Sequence, residues 1–358
     1  MLRKCKSIFI ILGDDCNLSC RYCIQHQISR VQQKADVDPA VLRWIDEEAK
    51  LADGMMSVCF FGGEPLLYFD AIKTIVGYHK AENIQYHMIT NGKALTRDMV
   101  DFFNAHRVYL NVSWDGDRMK ETRGYDVFDA KHGNRNNLLK LDCLGVNAVI
   151  SSQAYPYDVL KAMQKIDDAY YALHRRHIKV HTDFIFGCDL PEPSLAGDID
   201  YEKLNAQIQK VLAEYDEFAR GGEADPVIIQ WMAFYLEGYL WAMNHPNESP
   251  YCQNGRGILN VDLKGNLYFC HNTRQLIGTI QSRNDRYTAR VDALESGVEK
   301  QKKVCWQCPA YRLCRICCKL IPQDKLEDHY CKLRRAVFTP MAEYIEHTLA
   351  GYAKEGKQ

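Results

Sequence analysis

Six short apolar segments alternate with helical patterns in the first half of the chain, and this alternation limits the fold more than any other feature. The predicted strands cover residues 7–13, 57–61, 84–89, 107–113, 146–153 and 178–187. The predicted helices cover 39–53, 70–80, 96–105 and 137–144. Asp38 is the expected N-cap of the first helix, with Pro39 at its first position. Apolar strands separated by helices predict an α/β fold with a parallel sheet.

The pattern changes after residue 200. Two long helices are predicted at 201–220 and 226–244, followed by a polar, proline-containing stretch. Beyond it, an expected hairpin turns around Lys264 and Gly265. We therefore expect a main body over 1–245, a cysteine-rich domain over 246–335 and a C-terminal helical segment over 336–358.

Charge and hydropathy exclude several classes of protein. The 358 residues carry a formal net charge of −1, so no bulk positive field attracts nucleic acid. The first residues are basic and then apolar for a stretch too short for a signal peptide. No segment reaches the roughly 20 apolar residues that a membrane span needs. We expect a cytoplasmic protein that binds neither nucleic acid nor membrane.

Cysteine is unusually frequent, with 15 residues. Disulfides do not persist in a reducing compartment, so clustered cysteines there indicate metal ligands. A secreted disulfide protein is the alternative, but the export signal is missing and the cysteine count is odd. Cys5, Cys59, Cys143 and Cys188 have no partner at a ligand spacing, and we interpret them as packing residues.

The first cluster, Cys16-x3-Cys20-x2-Cys23, directly follows the first predicted strand. Three thiolates on one loop can hold three irons of a 4Fe–4S cube and leave the fourth iron open. Zinc is the alternative, because His26 could complete a set of four ligands.

The segment CNLSCRYC resembles the signature of the radical S-adenosylmethionine (SAM) enzymes, although Ile24 replaces the aromatic residue that many relatives carry. The resemblance implies a partial (β/α)6 barrel with the 4Fe–4S cluster at its C-terminal mouth. It also implies that SAM binds the open iron and is cleaved reductively. The resulting 5′-deoxyadenosyl radical would abstract a hydrogen atom from the substrate.

Later segments resemble the SAM-binding motifs of this family, and each follows a predicted strand. Gly62-Gly63-Glu64-Pro65 resembles the GGEP motif, and Thr90-Asn91-Gly92 resembles the TNG motif. Each alone could be a simple turn. The resemblance assigns SAM binding to Gly62, Gly63, Glu64, Pro65, Asn91, Ser113, Asp115 and Arg123. Ser113 and Asp115 belong to an S-x-D-G motif, and Arg123 would pair with the carboxylate of SAM.

The C-terminal cysteines resemble the seven-cysteine SPASM extension, which carries auxiliary iron–sulfur clusters. Their pattern is C-x12-G-x4-C, then C-x2-C-x5-C-x3-C, then a last cysteine. The resemblance implies one auxiliary cluster on Cys305, Cys308, Cys314 and Cys331. It implies a second on Cys252, Cys270 and Cys318, with Cys317 as an alternative ligand and the fourth ligand open. A zinc ribbon is the alternative for this region.

One residue bears on the substrate. Sulfatase-maturating relatives place an Asp base directly after the second SPASM cysteine, whereas this chain has His271. His271 is a candidate base, or alternatively a structural histidine beside a cluster. The change favours a maturase that crosslinks a ribosomal peptide over formylglycine formation on a sulfatase.

The family resemblance also sets the expected partners. A peptide or protein substrate and a flavodoxin- or ferredoxin-type reductant are expected. Because only fifteen residues precede Cys16, we expect a separate peptide-recognition protein or direct peptide binding. The alternatives are a sulfatase-maturating enzyme, a radical SAM dehydrogenase of a small molecule, and a non-catalytic electron-transfer or metal-sensing protein.

Overall fold

The computed structural model describes residues 5–27, 36–79, 81–131, 133–185, 198–245, 254–255, 257–272, 275–282, 287–293, 305, 307–314 and 330–355. Three predicted ligands, Cys252, Cys317 and Cys318, lie outside these residues, as does Cys188. The chain forms two compact units. The first comprises Met1–Trp114, Arg123–Asn147 and Gln253–Ser296, and the second comprises Asp115–Thr122, Ala148–Cys252 and Gly297–Gln358.

The strands and helices follow one another in the predicted alternation. The strands are β1 (Ser7–Ile11), β2 (Met56–Phe61), β3 (Ile84–Thr90), β4 (Tyr109–Ser113), β5 (Leu144–Ile150), β6 (Lys179–Phe184), β7 (Ile258–Asp262), β8 (Asn266–Tyr268) and β9 (Leu276–Thr279). The α-helices are α1 (Pro39–Leu51), α2 (Phe69–Tyr78), α3 (Arg97–Ala105), α4 (Met119–Arg123), α5 (Arg135–Leu138), α6 (Pro156–His174), α7 (Tyr201–Ala219), α8 (Pro226–Asn244), α9 (Tyr311–Cys314) and α10 (Lys332–Glu355).

In the first unit the strand order is β5-β4-β3-β2-β1-β7-β8-β9. Strands β1 to β5 pair in parallel, which confirms the predicted α/β class and parallel sheet. The side chains of Ile8 and Ile10 in β1 are fully buried, as are Val58 and Phe60 in β2. Buried β-branched and aromatic residues of this kind favour a strand covered by helices.

The predicted helix starts are confirmed where a capping side chain is present. The Asp38 carboxylate accepts a hydrogen bond from the Ala40 amide at 2.8 Å, and Pro39 is the first residue of α1. The Thr96 hydroxyl accepts one from the Met99 amide at 3.3 Å and begins α3. Such caps satisfy amides that the first helical turn leaves without a partner.

The predicted hairpin in the cysteine-rich region is also confirmed, and it extends the main sheet. Strand β7 pairs in antiparallel fashion with β8 and in parallel with β1, with Phe9 opposite Asn260. The turn at Gly265 has a φ of +84°, which favours glycine. As a result, the segment that leads to Cys270 is part of the same compact unit as the N-terminal strands.

The second unit contains the end of β5, β6 and long helices. Ile150 accepts a hydrogen bond from the Ile185 amide at 3.1 Å, next to the β5–β6 pairing. Helix α6 packs on α7 and α8, and α10 packs on α7 and α9. Large side chains such as Trp231, Tyr239 and Phe338 are fully buried in this unit.

Two details of the sequence prediction are wrong. The helix predicted at 137–144 is reduced to the single turn α5, and Leu144 begins β5 instead. The Asn137 amide donates to the Leu95 carbonyl at 3.1 Å, and such side-chain bonds compete with helix propagation. Helix α6, with 19 residues, was not among the predicted helices.

None of the helices in the described ranges is both long and apolar enough to cross a bilayer.

Candidate functional site

The predicted SAM-binding residues of the first unit follow the C-terminal ends of β1 to β4. Because these strands are parallel, their C-terminal ends meet at one edge of the sheet. The cysteine loop follows β1, the GGEP motif follows β2 and the TNG motif follows β3. The order of the motifs along the chain is therefore also their order across the sheet.

Backbone hydrogen bonds join the segment before Cys16 to the GGEP motif. The Gly63 amide donates to the Gly13 carbonyl at 2.9 Å, and the Glu64 amide donates to the Asp15 carbonyl at 2.8 Å. The Tyr68 hydroxyl accepts a hydrogen bond from the Asp15 amide at 3.0 Å. These three bonds fix the position from which the cysteine loop starts.

Glycine is required at this junction for steric reasons. A Cβ atom on Gly63 would lie less than 3.0 Å from the carbonyl oxygens of Asp14 and Asp15. One on Gly62, whose φ is +150°, would lie equally close to the Gly13 carbonyl. The two glycines thus allow the two loops to approach to hydrogen-bonding distance.

The three N-terminal thiols lie on this loop in half-buried positions. The Cys23 amide donates to the Cys20 carbonyl at 3.1 Å, which closes a tight turn between the last two cysteines. The Asn91 amide group lies 3.8 Å from the Cys16 sulfur, at the limit of an N–H···S contact. Hydrogen bonds to ligand sulfurs are a feature of iron–sulfur sites, so the donor set fits such a cluster.

Glu64 is a buried charged side chain at this edge, with 1% of its surface exposed. Its Oε1 accepts hydrogen bonds from the Thr90 hydroxyl at 2.6 Å and the Leu66 amide at 3.0 Å. Its Oε2 accepts one from the Asn91 amide at 2.8 Å. Burial raises the pKa of Glu64, and the hydrogen bonds oppose that rise. A carboxylate has about four acceptor positions, so three contacts leave capacity for a ligand N–H.

The TNG motif is held as a fully bonded turn. The Asn91 side chain donates to Asn17 Oδ1 at 2.8 Å and accepts from the Lys93 amide at 2.9 Å. The Gly92 amide donates to the Thr90 hydroxyl at 3.0 Å, and Gly92 has a φ of +71°. The turn therefore contacts both Glu64 and the cysteine loop.

The S-x-D-G motif lies at the end of β4, where Ser113 is half-buried. The indole N–H of Trp114 donates to Asp126 at 2.9 Å. Asp115, which belongs to the second unit, accepts hydrogen bonds from the Thr122 hydroxyl at 2.7 Å and the Val149 amide at 3.0 Å. These contacts indicate that Asp115 stabilises the turn after β4.

Arg123 belongs to the first unit and is buried, with 8% of its surface exposed. Its guanidinium carbon lies 5.2 Å from the ring centre of Tyr22, which stands between Cys20 and Cys23. This distance is within cation–π range. The arginine predicted to pair with SAM is thus next to the cysteine loop.

Cys270 and His271 follow β8. Cys270 is buried, and the Asn272 amide donates to its sulfur at 3.4 Å. The His271 ring stacks on Phe9, with ring centres 4.2 Å apart, and its Nδ1 lies 3.2 Å from Asn260 Oδ1.

The side chain of Asn260 defines the tautomer of His271. Its Nδ2 donates to Asn254 Oδ1 and to the carbonyls of Tyr268 and Phe269 at 3.1–3.3 Å. The amide oxygen must therefore face His271, whose Nδ1 donates the proton of this hydrogen bond. The role of His271 as a base stays a prediction.

Four further cysteines of the array lie in the second unit: Cys305, Cys308, Cys314 and Cys331. The Cys308 amide donates to the Cys305 carbonyl at 2.9 Å, and the Cys314 amide donates to the Ala310 carbonyl at 2.8 Å. Burial raises the pKa of the Cys331 thiol to about 11, and the negative charges of Cys314, Cys305 and Cys308 add to the rise. The other three thiols therefore each act electrostatically on Cys331.

Among the described side chains, no three His, Cys, Asp or Glu residues converge as ligands of a single metal ion. A 4Fe–4S cube distributes its thiolates over different irons, so its ligands need not converge in that way.

Several contact residues of the site have no motif of their own. Asn17 and Tyr68 each hydrogen-bond a neighbouring loop, and Asn260 orients His271. Tyr68 carries no sequence signal beyond its place after GGEP. Asn260 lies in an apolar strand, and a polar side chain at such a position indicates a buried hydrogen-bonding role.

The comparisons with known proteins agree with this geometry. A family model described as the radical SAM superfamily matches residues 10–187. The radical SAM cyclopropyl synthase TigE of Paramaledivibacter caminithermalis is 24% identical over 42% of this chain and 37% of its own length. A cysteine-type anaerobic sulfatase-maturating enzyme of Clostridium perfringens is 26% identical over 32% of this chain and 35% of its own. The matches thus span little more than a third of these relatives.

Solved structures extend the likeness along the chain. The anSMEcpe protein with bound AdoMet and Kp18Cys peptide is 19% identical, with a TM-score of 0.65, over 98% of this chain and 99% of its own. SuiB of Streptococcus suis bound to the precursor peptide SuiA is 15% identical, with a TM-score of 0.53, over 76% of this chain and 61% of its own. At these identities the likeness shows the fold, a partial (β/α)6 barrel.

Proposed function

The chain belongs to the radical SAM superfamily, and from this premise we propose that it modifies a peptide or protein side chain, as a maturase that crosslinks a ribosomal peptide does. The observation that carries the proposal is the junction between the cysteine loop and the GGEP motif. Hydrogen bonds from Gly63 to Gly13 and from Glu64 to Asp15 hold the two together. An electron-transfer or metal-sensing protein does not need a buried carboxylate that is hydrogen-bonded through its backbone to the start of the cysteine loop.

The residues of this edge divide into ligands of the cluster and ligands of SAM. Cys16, Cys20 and Cys23 would hold the cluster. Glu64 and the backbone of Gly62–Pro65 would accept the N–H groups of the SAM ammonium, because the carboxylate retains an acceptor position. Asn91, Ser113 and Arg123 would orient the rest of SAM, with Asp115 holding the turn after β4. When bound, the cluster and SAM supply a one-electron cleavage that generates the hydrogen-abstracting radical.

The peptide as substrate class is supported by the structural neighbours. The anSMEcpe and SuiB structures that share this fold were both solved with a peptide bound. The likeness to anSMEcpe extends over nearly all of both chains. A separate recognition protein and a flavodoxin- or ferredoxin-type reductant complete the proposal.

Two auxiliary iron–sulfur clusters are part of the proposal. Cys305, Cys308, Cys314 and Cys331 would hold one of them, and their half-buried positions and the packing of α9 on α10 support this assignment. Cys270 would hold the other, together with Cys252 and either Cys317 or Cys318. The amide of Asn272 donates to the Cys270 sulfur, a contact that suits a ligating thiolate.

Sulfatase maturation is the second candidate, and one observation favours it. The likeness to anSMEcpe, which was solved with Kp18Cys peptide bound, covers 98% of this chain. Against it stands His271, which occupies the position after the second SPASM cysteine where sulfatase-maturating relatives carry an Asp. The two candidates differ in product, so the product decides between them.

The first test is the cleavage of SAM by anaerobically reconstituted protein. With a chemical reductant we expect 5′-deoxyadenosine, measured by liquid chromatography, and broad iron–sulfur absorption. The triple variant Cys16→Ala, Cys20→Ala, Cys23→Ala should yield no more 5′-deoxyadenosine than a reaction without enzyme. Cys143→Ala, which changes a cysteine at no ligand spacing, is the matched control and should retain cleavage.

The second test is the product formed on peptides encoded beside the gene. Crosslinking predicts the loss of two hydrogens and a new bond in tandem mass spectra. Formylglycine on a Cys or Ser peptide, detected with a hydrazide probe, would identify the sulfatase-type reaction. Cleavage of SAM that is stimulated by a small molecule and by no peptide would contradict both peptide reactions.

A further inference from the structure

Arg334 is a buried positive charge whose surroundings are incomplete. Only 6% of its surface is exposed. Its Nε and Nη1 atoms have no hydrogen-bond partner among the residues that the structure describes. A guanidinium carries five N–H donors, and burying it without acceptors or a counter-charge is strongly unfavourable. The site therefore calls for an anionic acceptor.

The nearest groups are aromatic. The guanidinium carbon lies 4.3 Å from the ring centre of Tyr330 and 5.0 Å from that of Phe184. Ring faces attract a cation, but they do not replace the in-plane acceptors that the N–H groups need. The two rings contact the guanidinium, but they do not provide hydrogen-bond acceptors for its N–H groups.

Four ionisable side chains, Tyr330, Cys314, Tyr235 and Asp183, act electrostatically on Arg334, and two of them differ in setting. One is Asp183, which is exposed and pairs with His181 at 3.6 Å. The other is Cys314, the last residue of α9, a short helix that packs against α10. Arg334 itself is in the first turn of α10, three residues after Cys331. Both Cys314 and Cys331 belong to the proposed four-cysteine cluster.

The four cysteines explain what the missing acceptor is. Four thiolates repel one another, so such a group assembles only around a cation such as iron. A 4Fe–4S cube with four thiolates keeps a net negative charge and presents sulfur acceptors. Such a group satisfies both needs of a buried guanidinium, namely charge and hydrogen bonds.

We propose that Arg334 is the charge-compensating residue of the auxiliary cluster held by Cys305, Cys308, Cys314 and Cys331, and that it raises the reduction potential of that cluster by donating N–H bonds to its sulfurs. The inference rests on the proposed function, since it needs that cluster to exist. Reduction adds one negative charge to the cluster, and a buried cation beside it stabilises the reduced state. The arginine thus makes the cluster a better acceptor for an electron released when a substrate is oxidised.

The adjacent Arg335 provides a matched control. It carries the same charge, which also acts on the Cys331 thiol, but its side chain is exposed, so water and salt screen its effect. Arg334→Gln and Arg335→Gln remove the same charge at neighbouring positions of one helix. A general effect of net charge would move both variants equally, whereas the proposed contact distinguishes them.

The experiment uses the full chain, reconstituted anaerobically, in the background Cys16→Ala, Cys20→Ala, Cys23→Ala, so that only auxiliary clusters remain. Midpoint potentials are measured by redox titration with electron paramagnetic resonance detection. Arg334→Gln should lower the midpoint potential of one cluster by at least about 59 mV. For one electron this shift corresponds to a tenfold change in the reduction equilibrium. The other cluster and the Arg335→Gln variant should change far less.

An iron-replete Arg334→Gln protein with both midpoints at their parent values overturns the inference, and so does an equal shift in Arg335→Gln. If Arg334→Gln does not retain iron, Arg334→Lys replaces it, because it keeps a charge and loses the planar set of donors. An unshifted midpoint in Arg334→Lys again overturns the N–H···S contact, and a lowered one supports it.

Iron analysis of Cys305→Ala, Cys308→Ala separates this inference from the function on which it rests. If that variant binds as much iron as its parent, the four-cysteine cluster does not exist, and the auxiliary part of the proposed function fails together with the inference. If it loses one cluster while Arg334 variants leave the potentials unchanged, the inference alone fails.

Discussion

Glu64 and Arg334 are both buried charged side chains, and the bonds around them differ. The Glu64 carboxylate accepts three hydrogen bonds from its own chain. The Arg334 guanidinium has two nitrogen atoms without a partner in the described part of the chain. The first region is thus organised by hydrogen bonds within the protein, whereas the second lacks acceptors among the described residues.

This difference predicts that bound metal affects the local structure of the two regions to different degrees. Around Glu64, backbone amides and the Thr90 hydroxyl donate hydrogen bonds to the carboxylate before any ligand binds. Around Arg334, the Cys314 thiol acts on the guanidinium, and the described residues leave Nε and Nη1 without an acceptor. We infer that iron is bound by a preformed edge in the first unit and helps to build the site in the second.

Removal of iron should give the largest difference between the two regions. In iron-free protein we expect amide hydrogen exchange at 308–314 and 330–340 to accelerate by at least about tenfold, because half-buried thiols and an uncompensated guanidinium remain. Residues 56–68 and 84–92 should keep their protection. Mass-spectrometric hydrogen exchange on iron-free and reconstituted protein measures both. Equal acceleration in the two regions would contradict the comparison.

Gly63→Ala tests the preformed edge by steric means. The added Cβ meets backbone carbonyls of Asp14 and Asp15 at less than 3.0 Å, so the cysteine loop must move. We expect a loss of about 1–3 kcal/mol in the free energy of unfolding, and less iron bound at the first cluster.

Gly77→Ala is its matched control, since a Cβ there meets no atom within 4 Å and Gly77 is within α2. That variant should be unchanged or more stable by roughly 0.5–1 kcal/mol. Chemical denaturation and iron analysis compare the two proteins. A Gly63→Ala protein with the parent's stability and iron content would indicate that the junction is not tightly fitted.

Local signals in the sequence predicted much of this edge. Asp38 and Thr96 mark helix starts by their capping side chains, and Gly62-Gly63 marks a close backbone approach. Such signals depend on short-range physics, so residues near one another in the chain suffice to identify them. The order of the motifs across the sheet followed from the parallel topology.

Contacts between distant segments could not be predicted in this way. The stacking of His271 on Phe9 depends on the pairing of β7 with β1, which no local pattern encodes. Arg334 reads as an ordinary basic residue at the start of a helix, and its burial becomes visible only in the fold. Helix α6 does carry a signal, with Pro156 at its first position and apolar residues such as Leu160 and Met163 on its buried face.

Thr90→Val should give the smallest effect of these changes, and it tests the hydrogen bond from the Thr90 hydroxyl to the Glu64 carboxylate. Valine has nearly the same shape, but it lacks the hydroxyl that donates to Glu64 at 2.6 Å and accepts from the Gly92 amide at 3.0 Å. We expect a loss of about 1–2 kcal/mol in the free energy of unfolding. Thr90→Ser keeps the hydroxyl and should lose less, so the pair separates the hydrogen bond from the packing of the methyl group.

The pH dependence of this variant has a definite sign. Burial raises the pKa of Glu64, and the Thr90 hydroxyl counteracts that rise. Without the hydroxyl, the pKa of Glu64 in the folded state rises further, so ionisation of Glu64 becomes less favourable. The stability deficit of Thr90→Val relative to the parent should therefore be smallest at low pH and grow as pH rises through the folded-state pKa of Glu64. Urea denaturation across that range, with Thr90→Ser alongside, measures the deficit, and a deficit that is constant with pH would show that the hydroxyl does not act on the carboxylate.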